Sequence, residues 1–354
     1  MAQQWILRHG HTPGRFKYTD PRGRPVAKAR AAQIDALAIP PAWTDVHVAS
    51  SDRAAIQAWG YDARGRKQYR YHPRAVQKGQ LRKYYRVRQM ARDLPTLRQR
   101  VYADFRRRGM PEARVLAGVV RFLADGFFRV GSERYARENH TFGITTLNKS
   151  HVHVDGDVIT FEYVGKRSIA HKQVVVSREL ARFVRELLET PGRRLFRYQN
   201  ADKTWCNVES RQVNGYLQTL AQFPYTAKDF RTWGGTLRAA TVLADIGPAS
   251  SAREANKNVV TAMRLVSAEL GNTPAICRKS YVHPVVIDQY ISRGETIRWR
   301  ANGSSAGRSA LTGKAQWAHL PEERALITFL DRHFPERRKS RRVETMETGE
   351  RDAG

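Results

Sequence analysis

The stretch FGITTLNKSHVHVDGDVITFEYVGKRSIAHKQVVV, residues 142–176, decides the fold because its period differs from everything around it. Its segments FGITTL, HVHV, VITFEYV and IAHKQVVV alternate apolar and polar residues, broken by the turn pairs Asp155-Gly156 and Gly165-Lys166. Such alternation sends successive side chains to opposite faces of a strand, and the Gly-containing pairs suit tight hairpins. A three- or four-stranded antiparallel insert is therefore expected. On either side the apolar period is 3.6: Leu97, Val101 and Phe105; Val115, Val119 and Leu123; Leu180, Val184 and Leu187; Phe230, Trp233, Leu237 and Ala240. The insert thus belongs to a mainly helical domain that begins near residue 80.

Residues 1–75 read differently. VHVA (46–49), AIQAW (55–59) and QYRYH (68–72) are short strand candidates punctuated by Pro40-Pro41, Gly60 and Gly65. The fold class that follows is α+β, with a small antiparallel β-rich domain over 1–78 and a mostly α-helical catalytic domain carrying a small antiparallel sheet over 79–300. A C-terminal extension over 301–335 and a charged tail over 336–354 follow. The Gly/Ser-rich segment 302–314 and the tail are expected to be mobile, since FPERRKSRR is too polar to form core.

The chain has 354 residues with 62 Lys and Arg against 33 Asp and Glu, a net charge of +29. Between Asp62 and Arg108 there are 16 Lys/Arg and 3 Asp/Glu, so a polyanion is expected to run past this segment. Cys206 and Cys277 have no CxxC or Cys/His zinc spacing and are expected to be free thiols in a reducing cytosol. The start lacks a basic region followed by an apolar run, and no 18-residue apolar stretch occurs, so neither export nor a membrane span is expected. The nearest string to a phosphate loop, GRSALTGKA at 307–315, has five residues between its glycines and Ala315 where a Ser or Thr is needed, which argues against an ATP motor. His151 and His153 share a strand face, yet neither they nor His9 and His11 have the partners of a four-ligand set. No acidic cluster resembles a two-metal site, so phosphate chemistry would have to rely on cations of the chain.

Three cations stand in structured contexts. Arg129 follows the apolar helix VLAGVVRFLADGFF, Lys166 sits in the turn YVGKRSI, and Arg231 falls just off the stripe of Phe230, Trp233, Leu237 and Ala240. An arginine beside a core stripe is desolvated and stiff, which suits a planar fork aimed at phosphate oxygens. Gly271 can close the helix carrying Val259, Met263, Val266 and Leu270, after which Thr273-Pro274 starts a short helix through Tyr281. Asn272 then lies in the bend. A tyrosine attacking phosphorus forms a phosphotyrosyl ester, and neighbouring cations stabilise the charge that develops. On these residues alone a core tyrosine is the favoured reading of Tyr281.

The strings AIPPAWTDV (38–46), DARGRKQYRYHP (62–73), RVGSERYARENHTFGITTLNKSHV (129–152), YVGKRSIAH (163–171), KDFRTW (228–233) and LGNTPAICRKSYVHP (270–284) occur in order at family-like spacing. Together they resemble the small type IB DNA topoisomerases of bacteria, relatives of the poxvirus enzyme whose catalytic domain shares its fold with tyrosine recombinases. The resemblance implies that Tyr281 is the nucleophile, forming a 3′-phosphotyrosyl link and releasing a 5′-hydroxyl. It implies that Arg129 and Arg231 hold the non-bridging oxygens and that Lys166 protonates the departing oxygen. Asn272 stands where the poxvirus branch has a histidine, and as in bacterial relatives it supplies a neutral hydrogen bond. Arg66, Lys67, Gln68, Tyr69, Tyr71 and Tyr135 match DNA-facing positions. The implied partner is double-stranded DNA, with no membrane, metal or nucleotide cofactor, for a monomer in the cytoplasm at the nucleoid. Two rivals share parts of the pattern. A tyrosine recombinase typically has a histidine where KDFR places Lys228, and a non-enzymatic nucleoid binder needs the charge but no tyrosine with converging cations.

Overall fold

Residues 5–10, 16–298 and 317–334 are described by a computed structural model, in which the chain divides into two units, Met1–Tyr84 and Tyr85–Gly354. His11, the GRSALTGKA string, the Gly/Ser-rich segment and the tail lie outside the described residues.

In the first unit the alternating segments become five strands, β1 (Trp5–His9), β2 (Lys17–Thr19), β3 (Thr44–Ala49), β4 (Ile56–Tyr61) and β5 (Lys67–Tyr71), with helix α1 (Lys28–Asp35) between β2 and β3. They form one antiparallel sheet in the order β2-β1-β3-β4-β5. One set of side chains, Ile6, Tyr18, Val46, Val48 and Ala58, buries against Ile34 of α1 to make a small core. Because side chains alternate across a strand, the opposite face receives Trp5, His47, Trp59 and Tyr69, and the register pairs His47 with Trp59 and Trp59 with Tyr69.

Helix α2 (Pro73–Phe105) contains the division between the units. It starts well before residue 80, where the apolar period becomes visible. Pro73 presets the backbone angle of a first helical turn. The next turns carry exposed Arg74, Val76, Gln77, Lys78 and Gly79, so no buried stripe marks them in the sequence.

The second unit is mostly helical: α3 (Glu112–Gly126), α4 (Glu133–Asn139), α5 (Arg178–Leu188), α6 (Ser210–Leu220), α7 (Ala227–Ile246), α8 (Ala252–Leu270), α9 (Pro274–Ser280), α10 (Pro284–Arg293) and α11 (Pro321–His333). The insert has three strands, β6 (Val152–Asp155), β7 (Val158–Gly165) and β8 (Ile169–Val176), in sequential antiparallel order. A short pair, β9 (Arg197–Gln199) and β10 (Trp205–Asn207), lies apart from it. FGITTL is not a strand. Ile144–Thr146 form a turn of 3₁₀ helix whose three side chains are all buried. The Ile144 and Thr145 amides donate to the carbonyls of Arg129 and Val130 at 2.8 and 2.9 Å, so this backbone is committed to the segment after α3.

Phe122 of α3 and Phe161 of β7 meet edge to face at 5.3 Å, and Phe128 meets Phe161 at 5.0 Å, which fixes the end of α3 against the insert. Helix α11 is tied to α2 by Arg98–Glu323 at 2.6 Å and Arg92–Asp331 at 2.8 Å. Among the described residues no helix is long and apolar enough to cross a membrane.

Candidate active site

Helix α3 ends abruptly. Phe127 takes a left-handed conformation at φ 52°, an uncommon choice for a bulky residue, and its ring fills the space over Gly234 of α7, where a Cβ would collide with it. The turn aims the Phe127 carbonyl at Arg231, whose Nη1 donates to it, while Nη2 donates to the Leu270 carbonyl at 2.7 Å. Two residues after Phe127, Arg129 donates through Nη2 to the Gly271 carbonyl at 2.8 Å and to Asn272 Oδ1 at 2.6 Å. Both guanidiniums therefore sit on the carbonyl end of α8, where the helix dipole favours positive charge. Neither has a carboxylate partner among the described residues.

Arg231 is only 3% exposed, and its Nε–H meets no acceptor among the described residues. Burial lowers its pKa, and repulsion from Arg129 lowers it further, while the phenol of Tyr281 opposes both. An arginine keeps its proton regardless, so the effect is a concentrated positive field. The Tyr281 ring lies 5.1 Å from the Arg231 guanidinium carbon.

Helix α8 stops at Gly271, which has φ 57° and closes the helix with its amide on the Ala268 and Ser267 carbonyls. Thr273 caps α9 by accepting from the Ile276 amide, and Pro274 opens it. Tyr281 follows the last residue of α9 and is half-buried. Its carbonyl accepts from Thr236 Oγ1 of α7 at 3.3 Å, and the same hydroxyl accepts from the His283 amide at 3.0 Å. Gly235 leaves room for this crossing: a Cβ there would stand 3.0 Å from the Tyr281 carbonyl oxygen. Asp229, wholly buried in the first turn of α7, accepts two bonds from Arg86 at 2.9 and 2.8 Å and two from Thr226, which anchors the helix carrying Arg231.

The structure thus brings Arg129, Arg231, Asn272 and Tyr281 together. Lys166 stands at the exposed tip of the β7–β8 hairpin and makes no bond with a described side chain. Of the expected DNA-facing residues, Tyr135 is exposed on α4. The others lie in the first unit on and beside β5. Tyr69 and Tyr71 are exposed with rings 5.9 Å apart, Lys67 Nζ lies 3.6 Å over the Trp59 ring, and Asp62 accepts from Arg66 and Gln68. Asp62 is held near pKa 2 first by its hydrogen bond with Arg66.

A family model described as "Eukaryotic DNA topoisomerase I, catalytic core" matches residues 72–305, about two thirds of the chain. A second, "Bacterial DNA topoisomerase IB, N-terminal domain", matches residues 15–62. The chain belongs to the type IB DNA topoisomerases. It is 31% identical over 270 residues to "DNA topoisomerase 1B" of Acanthamoeba polyphaga mimivirus, covering 74% of this chain and 80% of the relative. It is 23% identical over 237 residues to "DNA topoisomerase 1B" of Vaccinia virus (strain Copenhagen), covering 65% of this chain and 70% of the relative. A type IB topoisomerase is an enzyme acting on DNA, which accounts for the +29 charge. The family is bacterial and poxvirus-like in form, with a sheet-built first domain and a helical catalytic domain.

Sequence reasoning missed several structurally placed residues in each unit of this type IB topoisomerase. Thr236 and Gly143 act through backbone contacts that no periodicity records. Trp5, His47 and Trp59 extend the aromatic face beside β5, with His47 stacked on Trp59 at 3.9 Å, and were legible as the residues alternating with the buried Ile6, Val48 and Ala58. His171 falls inside the quoted string YVGKRSIAH. Its register opposite Tyr163, on the face that also buries Val175, was the available signal.

Proposed function

We propose that this enzyme relaxes supercoiled duplex DNA by cutting one strand with Tyr281, letting the free end rotate, and resealing it. The observation that carries the reading is the charge arrangement: a buried arginine lies against the Tyr281 ring and a half-buried one sits on the adjoining bend at Gly271 and Asn272, neither with a carboxylate partner among the described residues. Leaving cations so poorly compensated costs stability, and an anion bound between them would offset that cost.

In the proposed reaction the Tyr281 oxygen attacks the phosphorus of the scissile diester. The Oη–P bond forms, the P–O5′ bond breaks, and a 3′-phosphotyrosyl ester results. Arg129 and Arg231 donate to the two non-bridging oxygens and stabilise the additional negative charge of the transition state. Asn272 adds a neutral hydrogen bond. The phenol proton leaves to solvent as the bond forms, and Lys166, reaching in from its hairpin tip, gives a proton to the departing 5′-oxygen. Resealing is the reverse, with Lys166 taking that proton back. One phosphate ester is exchanged for another, so the bond energy is conserved and no ATP is required.

Duplex DNA would lie against the aromatic and basic face of the first unit, with Arg66 and Lys67 on phosphates and Gln68, Tyr69 and Tyr71 on sugars or base edges. Tyr135 would contribute from the second unit. All five reacting positions come from one chain, which supports a monomer, and its place of action would be the cytoplasmic nucleoid.

The test is relaxation of a supercoiled plasmid in EDTA without ATP, by the native chain and by Tyr281→Phe. Relaxation by the first and not the second is expected. A native chain that binds the plasmid and leaves it supercoiled refutes the reading, and site-specific strand exchange without relaxation would replace it with recombination.

A further inference from the structure

One imidazole touches Arg129 and the residues that immediately precede two other reacting positions. His171 of β8 stacks on Tyr163 of β7, with ring centroids 5.2 Å apart and planes 13° from parallel. Its Nε2 lies 3.4 Å from Arg129 Nη1. One edge of the ring packs against Gly165, the residue before Lys166, where a Cβ would stand 2.5 Å from Cδ2. The opposite edge packs against Gly271, the residue before Asn272, where a Cβ would stand 2.5 Å from Nδ1. The ring is thus wedged between two glycines that lack the side chains to displace it.

We infer that His171 is a positioning residue for the cleavage reaction, an uncharged joint that holds Arg129, the Lys166 hairpin tip and the Asn272 bend in one arrangement. This rests on the chemistry proposed for Tyr281. The charged and titratable groups facing the ring are Arg129 from the segment after α3, Arg231 from α7 and the Tyr163 phenol, which donates to Gln173 at 2.6 Å. Burial and then the two arginines push the His171 pKa down to about 4. A neutral ring can accept from Arg129, whereas an imidazolium would offer only a donor and a third positive charge. Accepting through Nε2 places the ring proton on Nδ1. The role differs from that of Asn272, which also accepts from Arg129, because the His171 ring spans from the arginine to the hairpin that carries Lys166.

The experiment measures covalent adduct formation in a single turnover on a nicked duplex that releases a short 5′-hydroxyl strand, together with duplex affinity. His171→Phe keeps the ring and removes the acceptor. It is expected to cut about 10- to 100-fold more slowly, as misplacement of a reacting group by roughly 1 Å does, with duplex affinity unchanged. His171→Gln, whose amide oxygen can take the place of Nε2, is expected to recover part of the rate. In an Arg129→Ala background, His171→Phe is expected to cost nothing further, because the two residues act as a unit. Nitrogen chemical shifts of the native chain at pH 7 should show a neutral ring protonated on Nδ1. Native cleavage rates in His171→Phe, an equal loss in the Arg129→Ala background, or an Nε2-protonated or cationic ring each overturn the inference. Failure of the native chain to form any adduct would instead sink the chemistry assigned to Tyr281.

Discussion

Gly143→Ala isolates backbone placement from chemistry. Gly143 has φ −145° and ψ −179°, angles any residue adopts, so the substitution introduces no torsional strain at its own position. The space is another matter. An added Cβ would stand 2.5 Å from the Gly131 nitrogen, 2.6 Å from the Arg129 carbonyl oxygen and 2.6 Å from the Gly131 Cα. All three are backbone atoms, so no side chain can swing away. Bringing these approaches to ordinary contact requires about 0.9 Å of movement, and a shift of roughly 1 Å at a reacting group costs about 100-fold in rate. The same segment is bonded through Ile144 N–H to Arg129 O and Thr145 N–H to Val130 O, so it resists, and overpacking of this kind costs about 1–3 kcal/mol. Single-turnover adduct formation should therefore fall by one to two orders of magnitude while duplex affinity, measured by fluorescence anisotropy, stays at the native value. The melting temperature should fall by roughly 2–4 °C for each kcal/mol lost. A Gly143→Ala chain that cleaves at the native rate would refute the claim that this crossing fixes Arg129.

Three further outcomes follow from other parts of the structure. Asp229→Ala leaves the partly exposed Arg86 without its partner and removes the carboxylate that accepts from the Thr226 amide at the start of α7, and should cost about 1–3 kcal/mol in urea unfolding; a loss under about 0.5 kcal/mol would contradict the anchoring role given to this pair. Gly79→Ala, in an exposed turn of α2 where an added Cβ meets nothing within 4 Å, should gain about 0.5–1 kcal/mol by the same measurement, and destabilisation would show that this turn is not helical. His171 carries a pH dependence of known sign: its folded value of about 4 lies below the ordinary 6.5, so the unfolded chain takes up a proton first. The stability it contributes is complete above 6.5 and is lost as pH falls towards 4, so the native chain should lose more stability than His171→Phe between pH 7 and pH 5. Equal losses would place the histidine in an ordinary solvated setting.

The legible parts of the fold are those where one local rule acts alone. The β7–β8 hairpin was readable because alternation on both sides of Gly165-Lys166 leaves one register. Helices α7 and α8 were readable from their stripes, and the Gly271 stop with its Thr273-Pro274 restart followed from capping chemistry. The early turns of α2 were hidden because an exposed basic helix has no stripe. Helix α11 had a signal that went unread, with Pro321 at its start, Glu322 and Glu323 in the first turn, and Leu326, Phe329 and Leu330 buried. FGITTL misled because alternation also describes a 3₁₀ turn buried on every side. At the site, the arginines and the tyrosine carried motif signals. The carbonyls and the amide oxygen that hold those arginines lie 39 to 143 positions from them, and the far side of the His171 wedge is Gly271, a hundred positions away, so no short window along the chain contains these contacts.

The most direct test of the central claim is to trap the native chain on a nicked duplex, digest it with trypsin, and sequence the nucleotide-bearing peptide by mass spectrometry. The peptide from Ser280 to Arg293 contains both Tyr281 and Tyr290. The account predicts a nucleotide 3′-phosphate on Tyr281, with Tyr290, buried and donating to the Gly247 carbonyl, unmodified. A phosphate on Tyr290 or on any other residue would contradict it.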